Sequence, residues 1–293
     1  MSSFFEAAAN LYMLYSRNSY SPFHLHDVLF LMISLPAIFI SHGAPDLPIR
    51  DGAVTHFLKS LHRQFPKPKA ILVVSVHWNS IEPTVSKAIQ PQTIYDFGGF
   101  PDAVYQLNYP APGAPELADR VVSLLAQAGI SSHTHPDRGL DHGAWTPLIL
   151  EYPHADIPVT QLSIQYHAGA LHHFQIGQAL APLRQEGVLI MGSGSATHNM
   201  WEFNSRYDAP PPDWVRVFDE WLAERIAEGN WEAVLNYRKI APHAEQNHPT
   251  DEHLLPLFVA LGAGGNQVKG VRLHHSYNYG AFSMAAYAFT DSV

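Results

Sequence analysis

An uninterrupted apolar run at residues 70–76, Ala-Ile-Leu-Val-Val-Ser-Val, limits the fold of this chain more than any other feature of the sequence. The run has the length and the β-branched side chains of a strand, and it lacks the polar alternation of a strand with one face in water. It therefore predicts a central strand that is buried on both faces. Val159–Ile164 and Val188–Met191 predict further buried strands. Helices cover the faces of such sheets, so the sequence predicts an α/β fold.

Helical and strand patterns alternate along the rest of the chain. The other predicted elements are strands at Leu35–Ser41 and, as a final pair, within Ser276–Phe289, and helices at Val54–Phe65, Ala114–Ala128, Ala168–Leu183, Trp214–Glu228, Trp231–Asn236 and Pro249–Leu261. Residues 82–113 are predicted to form a long loop region. Pro115 and Gly129 stand near the start and just past the end of one helix, where each is favoured. The Thr250 hydroxyl is expected to cap the last helix.

This alternation predicts one α/β domain over residues 35–293, in which a central, mostly parallel or mixed sheet is flanked by helices. Residues 1–34 are interpreted as an N-terminal extension that leads into the first strand. The most apolar N-terminal stretch, Val28–Ile40, contains Pro36 and lacks the flanking charges and cleavage site of a signal peptide. No run of residues is long and apolar enough to predict a transmembrane helix.

Composition excludes some classes of function. The chain has 293 residues and a net charge of −9, from 17 Lys and Arg against 26 Asp and Glu, so a nucleic-acid-binding surface is not expected. Cysteine is absent, which excludes disulfides and thiolate ligands and suits a reducing compartment, so we expect a cytoplasmic protein. The 19 histidines outnumber the Lys and Arg residues and favour a metal site with nitrogen and oxygen ligands. Composition does not predict an oligomeric state.

Three histidines follow three of the predicted strands. His42 and His77 come directly after strand residues, and His198 follows Val188–Met191 after a short Gly-Ser-Gly-Ser turn. Ligands of open α/β sheets collect at the carboxyl ends of the strands, so these imidazoles converge there without any fixed spacing in the sequence. The sequence therefore predicts a shared metal site at this edge of the sheet.

Two further histidines are candidates for the same site. His142 lies in a predicted Gly-bounded loop beside Asp141, whose carboxylate could fix the tautomer of the imidazole. His253 lies in the first turn of the last predicted helix. The histidines that are assigned instead to solvated ends of elements or, for the last, to a loop are His172, His173, His274, His275 and His248.

Several short motifs do not carry the chemistry that they first suggest. Gly192–Ser195 is not a phosphate-binding loop, because no Gly-Lys-Ser/Thr follows, and it does not fit the G-x-S-x-G nucleophile motif. Its glycines are expected to let the backbone approach the site closely. Asp96-Phe97-Gly98 occurs without the other kinase motifs, and the chain has no H-E-x-x-H.

Fragments along the chain resemble, in order, those of class III (LigB-type) extradiol ring-cleavage dioxygenases, and in particular the 4,5-DOPA dioxygenase group. The fragments are residues 36–45 (PAIFISHGAP), 69–78 (KAILVVSVHW), 95–101 (YDFGGFP), 109–113 (YPAPG), 141–145 (DHGAW), 161–163 (QLS), 197–199 (THN), 249–253 (PTDEH) and 280–284 (GAFSM). Each fragment is weak alone, but their common order over residues 36–290 makes the resemblance specific.

The resemblance implies a single metal ion held by His42, His77 and His253. It also implies that His198 acts as an acid/base or lies close enough to be a fourth ligand, and that His142 supports a ligand or contacts the substrate. Fe(II) would be the catalytic metal, and an all-imidazole site would also suit Zn(II).

The third ligand departs from the wider superfamily. LigB-type dioxygenases of other groups use two histidines and a glutamate, whereas His253 occupies the third position here, as in the DOPA group. Asp251 and Glu252 precede His253, so a carboxylate ligand remains an alternative.

The reaction implied by the resemblance is insertion of O₂ into a DOPA-like or other substituted catechol, giving a muconic semialdehyde. The aromatic residues that could form an apolar slot for the catechol ring are Trp78, Tyr95, Phe97, Phe100 and Trp145. Two alternatives remain open at this point. The same histidines could hold Zn²⁺ in a hydrolase, or the chain could be a binding protein without turnover.

Overall fold

The computed structural model describes residues 34–265 and 269–290. Apart from Ser34, the predicted N-terminal extension lies outside the described residues, and the division of the chain after residue 34 stays a prediction. Among the described residues, no helix combines the length and the apolar character needed to cross a membrane.

The described residues form a mixed α/β structure, as predicted. The strands are β1 (Ala37–Ser41), β2 (Ala70–Asn79), β3 (Thr84–Ser86), β4 (His133–His135), β5 (Val159–Ile164), β6 (Val188–Gly194), β7 (Lys269–His274), β8 (Tyr277–Asn278), β9 (Phe282–Ser283) and β10 (Ala286–Thr290). The helices are α1 (Ala53–Leu61), α2 (Asp102–Tyr105), α3 (Pro115–Gln127), α4 (His142–Glu151), α5 (Gly169–Leu180), α6 (Pro182–Gln185), α7 (Asp213–Glu228), α8 (Trp231–Leu235), α9 (Tyr237–Ile240), α10 (Ala244–Asn247) and α11 (Leu255–Ala263). Short 3₁₀ turns occur at Leu47–Ile49 and Glu252–Leu254.

Eight of the described strands form one sheet in the order β4-β3-β5-β2-β6-β1-β10-β7. The centre of the sheet is parallel, because β2 pairs with β5 and β6, and β6 pairs with β1. At one side, β10 runs antiparallel to β1 and β7. The prediction of a mostly parallel, mixed sheet is therefore confirmed, and the carboxyl ends of β1, β2 and β6 meet at one edge.

Helices cover both faces of the sheet, and β2 divides the core into two. Leu72 and Val74 pack with residues of α3, α5, α7 and α11 on one face. Ile71 and Val73 pack with residues of α1 and α4 on the other face. Successive side chains of a strand point to opposite faces, so an apolar run without alternation is what a doubly covered sheet requires.

The structure differs from the prediction in several elements that local patterns could not indicate. Helix α4 occupies the segment that was predicted as a loop around His142, and most of its side chains are buried on all sides, so it has no amphipathic pattern. Pro147 inside α4 also argues against a helix in the sequence. The predicted loop region 82–113 contains β3 and α2, which are too short to produce a clear period.

The predicted boundaries agree with the structure for helix α3 and differ from it for the last predicted helix. Helix α3 begins at Pro115, and Gly129 just past it has a φ of +74°, as expected for this pair of residues. The last predicted helix starts later, as a 3₁₀ turn followed by α11, and the Thr250 hydroxyl donates to Glu252 Oε1 at 3.0 Å instead of capping the helix. The predicted final pair of strands is the small β8–β9 sheet together with β10, and β7 was not predicted.

Candidate metal centre

His42 and His77 lie side by side at the carboxyl edge of the sheet. His42 follows β1, and its backbone N–H donates to the Gly194 carbonyl at the end of β6, 3.0 Å away. His77 lies near the end of β2. The two Nε2 atoms are 3.1 Å apart. The predicted convergence of these strand-end histidines is therefore present in the folded chain.

The other three candidate histidines surround this pair. The ligand nitrogens of His42, His77 and His142 lie within 4.8 Å of one another, and a second group within the same limit contains His198, His253 and a Glu252 oxygen. The ring centres of His198 and His253 are 3.4 Å apart, with their planes at 9°. The structure thus brings all five predicted histidines together, although it does not test the role of each.

Burial favours the neutral form of four imidazoles of this site, those of His42, His77, His198 and His253. It lowers the pKa of His77 to about 3, an effect that the nearby His142 increases and Asp96 opposes. Burial likewise lowers the pKa of His198 to about 4, and it lowers those of His42 and His253 well below the usual value. Neutral imidazoles keep a free lone pair for a cation, so the electrostatics of the site fit a metal ion.

Hydrogen bonds direct the lone pairs of two of these rings. The Ser193 hydroxyl donates to the Gly143 carbonyl, so its oxygen accepts from His42 Nδ1 at 3.3 Å. His253 Nδ1 donates to Glu252 Oε1 at 3.0 Å. Both rings therefore carry their proton on Nδ1 and leave Nε2 unprotonated, which is the arrangement that metal-binding histidines need.

The carboxylate beside His142 is not the one that the sequence suggested. Asp96 Oδ1 lies 3.0 Å from His142 Nδ1, and this contact lowers the pKa of Asp96 to about 2 although burial acts to raise it. Asp141 accepts instead from Ser75 at 2.6 Å, from Gln161 and from Arg138. Adjacent residues at the start of a helix project in different directions, so neighbours in sequence need not be partners in space.

The predicted aromatic residues divide between the site and the core. Phe97 meets the His142 ring edge-on, with centres 5.7 Å apart, and Tyr95, Phe100 and Trp145 pack around Phe97. Trp145 is fully buried and donates from Nε1 to the Ile94 carbonyl at 3.0 Å.

The predicted role of Trp78 in the ring slot finds no support in its contacts. Trp78 packs on Arg138, 5.2 Å from the guanidinium carbon, and on His135. Neighbours along a strand face opposite sides, and Trp78 directly follows His77.

Sequence reasoning missed two side chains of the site. Asp96 was noticed only within fragment 95–101 and within a motif that was rejected as a kinase signature, and no role was assigned to it. The Phe282 ring lies 5.5 Å from the His198 ring and stacks on Phe203. Aromatic side chains therefore also line the site next to His198. Phe282 belongs to fragment 280–284, which was the available signal for it.

Two of the histidines set aside in the sequence are not solvated. His173 is fully buried in α5, where it shares the inner face with Ile176 and accepts from the Gln165 N–H at 3.1 Å. His248 is also fully buried, with Nε2 2.9 Å from the Ala196 carbonyl. His274 is half-buried and stacks on Phe57. His173 and His248 occupy the interior of the fold, and all three histidines lie outside the cluster of five.

The predicted close approach at the Gly-Ser-Gly-Ser segment is confirmed. A Cβ atom at Gly194 would lie 2.1 Å from the carbonyl oxygen of His253, and one at Gly192 would lie 2.2 Å from that of Pro256. The Ser195 N–H donates to the His253 carbonyl at 2.8 Å. The glycines of β6 therefore allow the 3₁₀ turn to carry His253 into the site.

Gly194→Ala is expected to lower the free energy of unfolding by about 1–3 kcal/mol, because an added methyl group forces β6 and the turn apart. Chemical denaturation measures the change. Gly98→Ala is the matched control, since a Cβ there has nothing within 4 Å. Equal denaturation midpoints for the two variants would show that β6 and the turn can accommodate a methyl group at position 194, and would contradict the prediction.

Comparison with known proteins agrees with this site. The family described as "Catalytic LigB subunit of aromatic ring-opening dioxygenase" matches residues 36–290. This chain belongs to the LigB family of extradiol ring-cleavage dioxygenases. The match covers the strands that carry His42 and His77 and the turn that carries His253.

Similar proteins point to one group within the family. A 4,5-DOPA dioxygenase extradiol from Beta vulgaris is 48% identical over 258 residues, which are 87% of this chain and 96% of that protein. One from Escherichia coli K12 is 37% identical over 82% of this chain and 89% of its own length. A crystal structure of an uncharacterized E. coli K12 protein matches with a TM-score of 0.74 and 34% identity, covering 87% of this chain and 99% of the other.

These relationships establish the class of enzyme. The chain is an extradiol aromatic ring-opening dioxygenase of the DOPA dioxygenase family. The family implies a catechol-type substrate, O₂ and non-haem iron. The exact catechol and the identity of the metal belong to the proposal below, and the cytoplasmic location stays a prediction.

Proposed function

We propose that this chain inserts O₂ into a substituted catechol, with DOPA as the first candidate, and releases a muconic semialdehyde-type product. The observation that carries the proposal is the cluster of five histidines, three of them buried and two half-buried, beside Phe97 and the aromatic side chains that pack around it. Relatives named 4,5-DOPA dioxygenase extradiol support DOPA as the substrate to test first. The oxygens of the catechol would lie next to the imidazoles, while the catechol ring would pack on the aromatic side chains.

The separations of the rings support His42, His77 and His253 as the metal ligands. Imidazoles bound at about 2.1 Å to one ion, at tetrahedral or octahedral angles, have ring centres about 4.5–5.5 Å apart. The observed separations are 5.0 Å for His42–His77 and 5.4 Å for His77–His253. The separation of 6.1 Å for His42–His253 lies outside this range, whereas the 5.3 Å of His42–His142 lies inside it. The case against His142 therefore rests on its closeness to His77.

The same geometry argues against the other two histidines as additional ligands. The His142 ring lies 3.8 Å from that of His77, and the His198 ring lies 3.4 Å from that of His253. Two rings so close would have to bind one ion at an angle well below the octahedral one. This favours His198 and His142 for work on the substrate. Glu252 already accepts from His253, which argues against the carboxylate alternative.

An Fe(II) ion held by these three imidazoles would bring catechol and O₂ together and pass electron density from the catechol to O₂. Zn(II) would fit the same nitrogen donors, since tetrahedral imidazole sites suit it. The chain's own residues would then orient the catechol and move its protons. Phe97 on one side and Phe282 on the other would hold the ring between His142 and His198.

His198 is the residue that we assign to proton transfer. Burial lowers its pKa to about 4, so the imidazole is neutral at pH 7 and can accept a proton from a catechol hydroxyl. The protonated ring would then return that proton as the ring-opening step proceeds.

Protein reconstituted with Fe(II) without oxygen is expected to consume O₂ when a catechol is added and to form a yellow ring-opened product. An oxygen electrode and absorbance spectra follow the reaction with DOPA, caffeate and protocatechuate. Zn(II)-loaded protein is the control and should consume no O₂, because zinc has no redox chemistry.

The alternatives give different results in this assay. A zinc hydrolase would turn over a substrate without oxygen, and a binding protein would bind catechols without consuming O₂. Absence of O₂ uptake across the panel, with the iron kept reduced, would overturn the proposed reaction.

A further inference from the structure

Asp96 precedes Phe97 in the same loop and contacts His142, one of the five histidines of the site. We propose that Asp96 is a positioning residue that fixes the tautomer and the orientation of His142, so that His142 Nε2 faces the catechol as a hydrogen-bond acceptor. The inference rests on the proposed function, because it assigns the direction in which His142 meets the substrate.

One carboxylate oxygen of Asp96 makes both contacts with His142. Asp96 Oδ1 accepts from the backbone N–H of His142 at 3.0 Å and lies 3.0 Å from its Nδ1. An ionised carboxylate has no proton to donate, so His142 must carry its proton on Nδ1. In the neutral ring, Nε2 then keeps a lone pair, and a hydroxyl of the substrate can donate to it.

The neighbouring residue holds the same ring from a second side. Phe97 meets the His142 ring at 88°, with ring centres 5.7 Å apart. Asp96 and Phe97 are consecutive, so one loop both sets the tautomer of His142 and restricts its rotation. This gives a role to the Asp96-Phe97-Gly98 motif.

Of two other roles for Asp96, the geometry argues against one, and the other coexists with positioning. Asp96 Oδ2 lies 3.8 Å from His77 Nδ1, which is too far for a hydrogen bond. Asp96 also accepts the first N–H of α4, so it stabilises the start of that helix. That second role would affect stability whether or not the His142 ring were present, and a double-mutant cycle separates the two.

The test uses variants that remove different parts of Asp96. Asp96→Leu removes both acceptor oxygens and keeps the branched shape of the side chain, whereas Asp96→Asn keeps an acceptor oxygen and removes the charge. We expect kcat/KM for the catechol to fall about 10- to 100-fold in Asp96→Leu, as for other carboxylates that orient histidines. Asp96→Asn should recover part of this loss. Asp137→Asn removes the charge from an exposed Asp–His pair, at 3.2 Å, and should leave kcat/KM unchanged.

The double variant Asp96→Leu/His142→Ala decides whether Asp96 acts through His142. We expect it to be no slower than His142→Ala alone, because there is then no ring to position. If Asp96→Leu lowers kcat/KM as much in the His142→Ala background as in the wild type, Asp96 acts elsewhere and the inference is overturned. Asp96→Leu should also keep its metal, and a protein as metal-poor as His77→Ala would overturn it too.

A second readout does not depend on activity. ¹⁵N NMR of histidine-labelled, metal-free protein distinguishes the two neutral tautomers, and His142→Ala identifies the signal of His142. We expect an Nδ1–H tautomer in the wild type and in Asp96→Asn, and a shift toward Nε2–H in Asp96→Leu. An Nε2–H tautomer in the wild type would overturn the inference. If catechol oxidation fails while the tautomer behaves as expected, the proposed reaction fails and the positioning by Asp96 stands.

Discussion

Replacing His42 with alanine is expected to abolish both metal binding and ring cleavage. His42 is one of three neutral imidazoles that we propose as the whole protein contribution to the metal, so its loss leaves two donors. Loss of a hydrogen-bonding partner of a ligand already costs about 10–100-fold in metal affinity, and loss of a ligand itself should cost more. Metal per protein after reconstitution, measured by mass spectrometry, and kcat with a catechol give the result.

The matched comparison separates the two candidate ligand sets. His253→Ala should be as metal-poor as His42→Ala, whereas His142→Ala should keep most of its metal, because its ring lies too close to that of His77. Thermal unfolding checks that each variant is folded. A metal-poor His142→Ala together with a metal-replete His253→Ala would replace our set with His42, His77 and His142.

His198→Ala is expected to keep most of the metal affinity and to lose turnover by roughly 10²–10⁴-fold, as for a lost general acid or base. The physical reason is that His198 stacks on His253 without a geometry that suits a shared ion, while its neutral imidazole can take a proton. Metal content and kcat at saturating catechol, measured on the same preparation, test both halves of the expectation.

His173→Ala controls for the loss of a buried imidazole. His173 is fully buried in α5 outside the cluster of five, so its removal should lower stability without changing the metal bound per folded protein. If His198→Ala is as metal-poor as His42→Ala, then His198 is a fourth ligand. Another residue, most plausibly His142, would then have to move the proton.

The amino-acid sequence was enough to predict the central strands and the edge of the sheet at which the site forms. Apolar runs without alternation predicted β1, β2 and β6, because a strand that is covered on both faces cannot alternate. His42 and His77 end two of those strands, so their meeting followed from the parallel sheet alone. The ordered fragments added His253, whose place in a 3₁₀ turn carries no periodic signal.

The tertiary structure decided which side chains face one another inside the site. Asp96 and His142 are separated by 46 residues, and the sequence offered the adjacent Asp141 as the partner instead. Helix α4, which carries His142, is buried on nearly all sides and contains Pro147, so its sequence has no local pattern that predicts a helix. The periodicity of apolar residues indicates only which side chains of one segment face the core and which face water. The pairing of polar groups within the core depends on long-range packing, and only the folded chain reveals it.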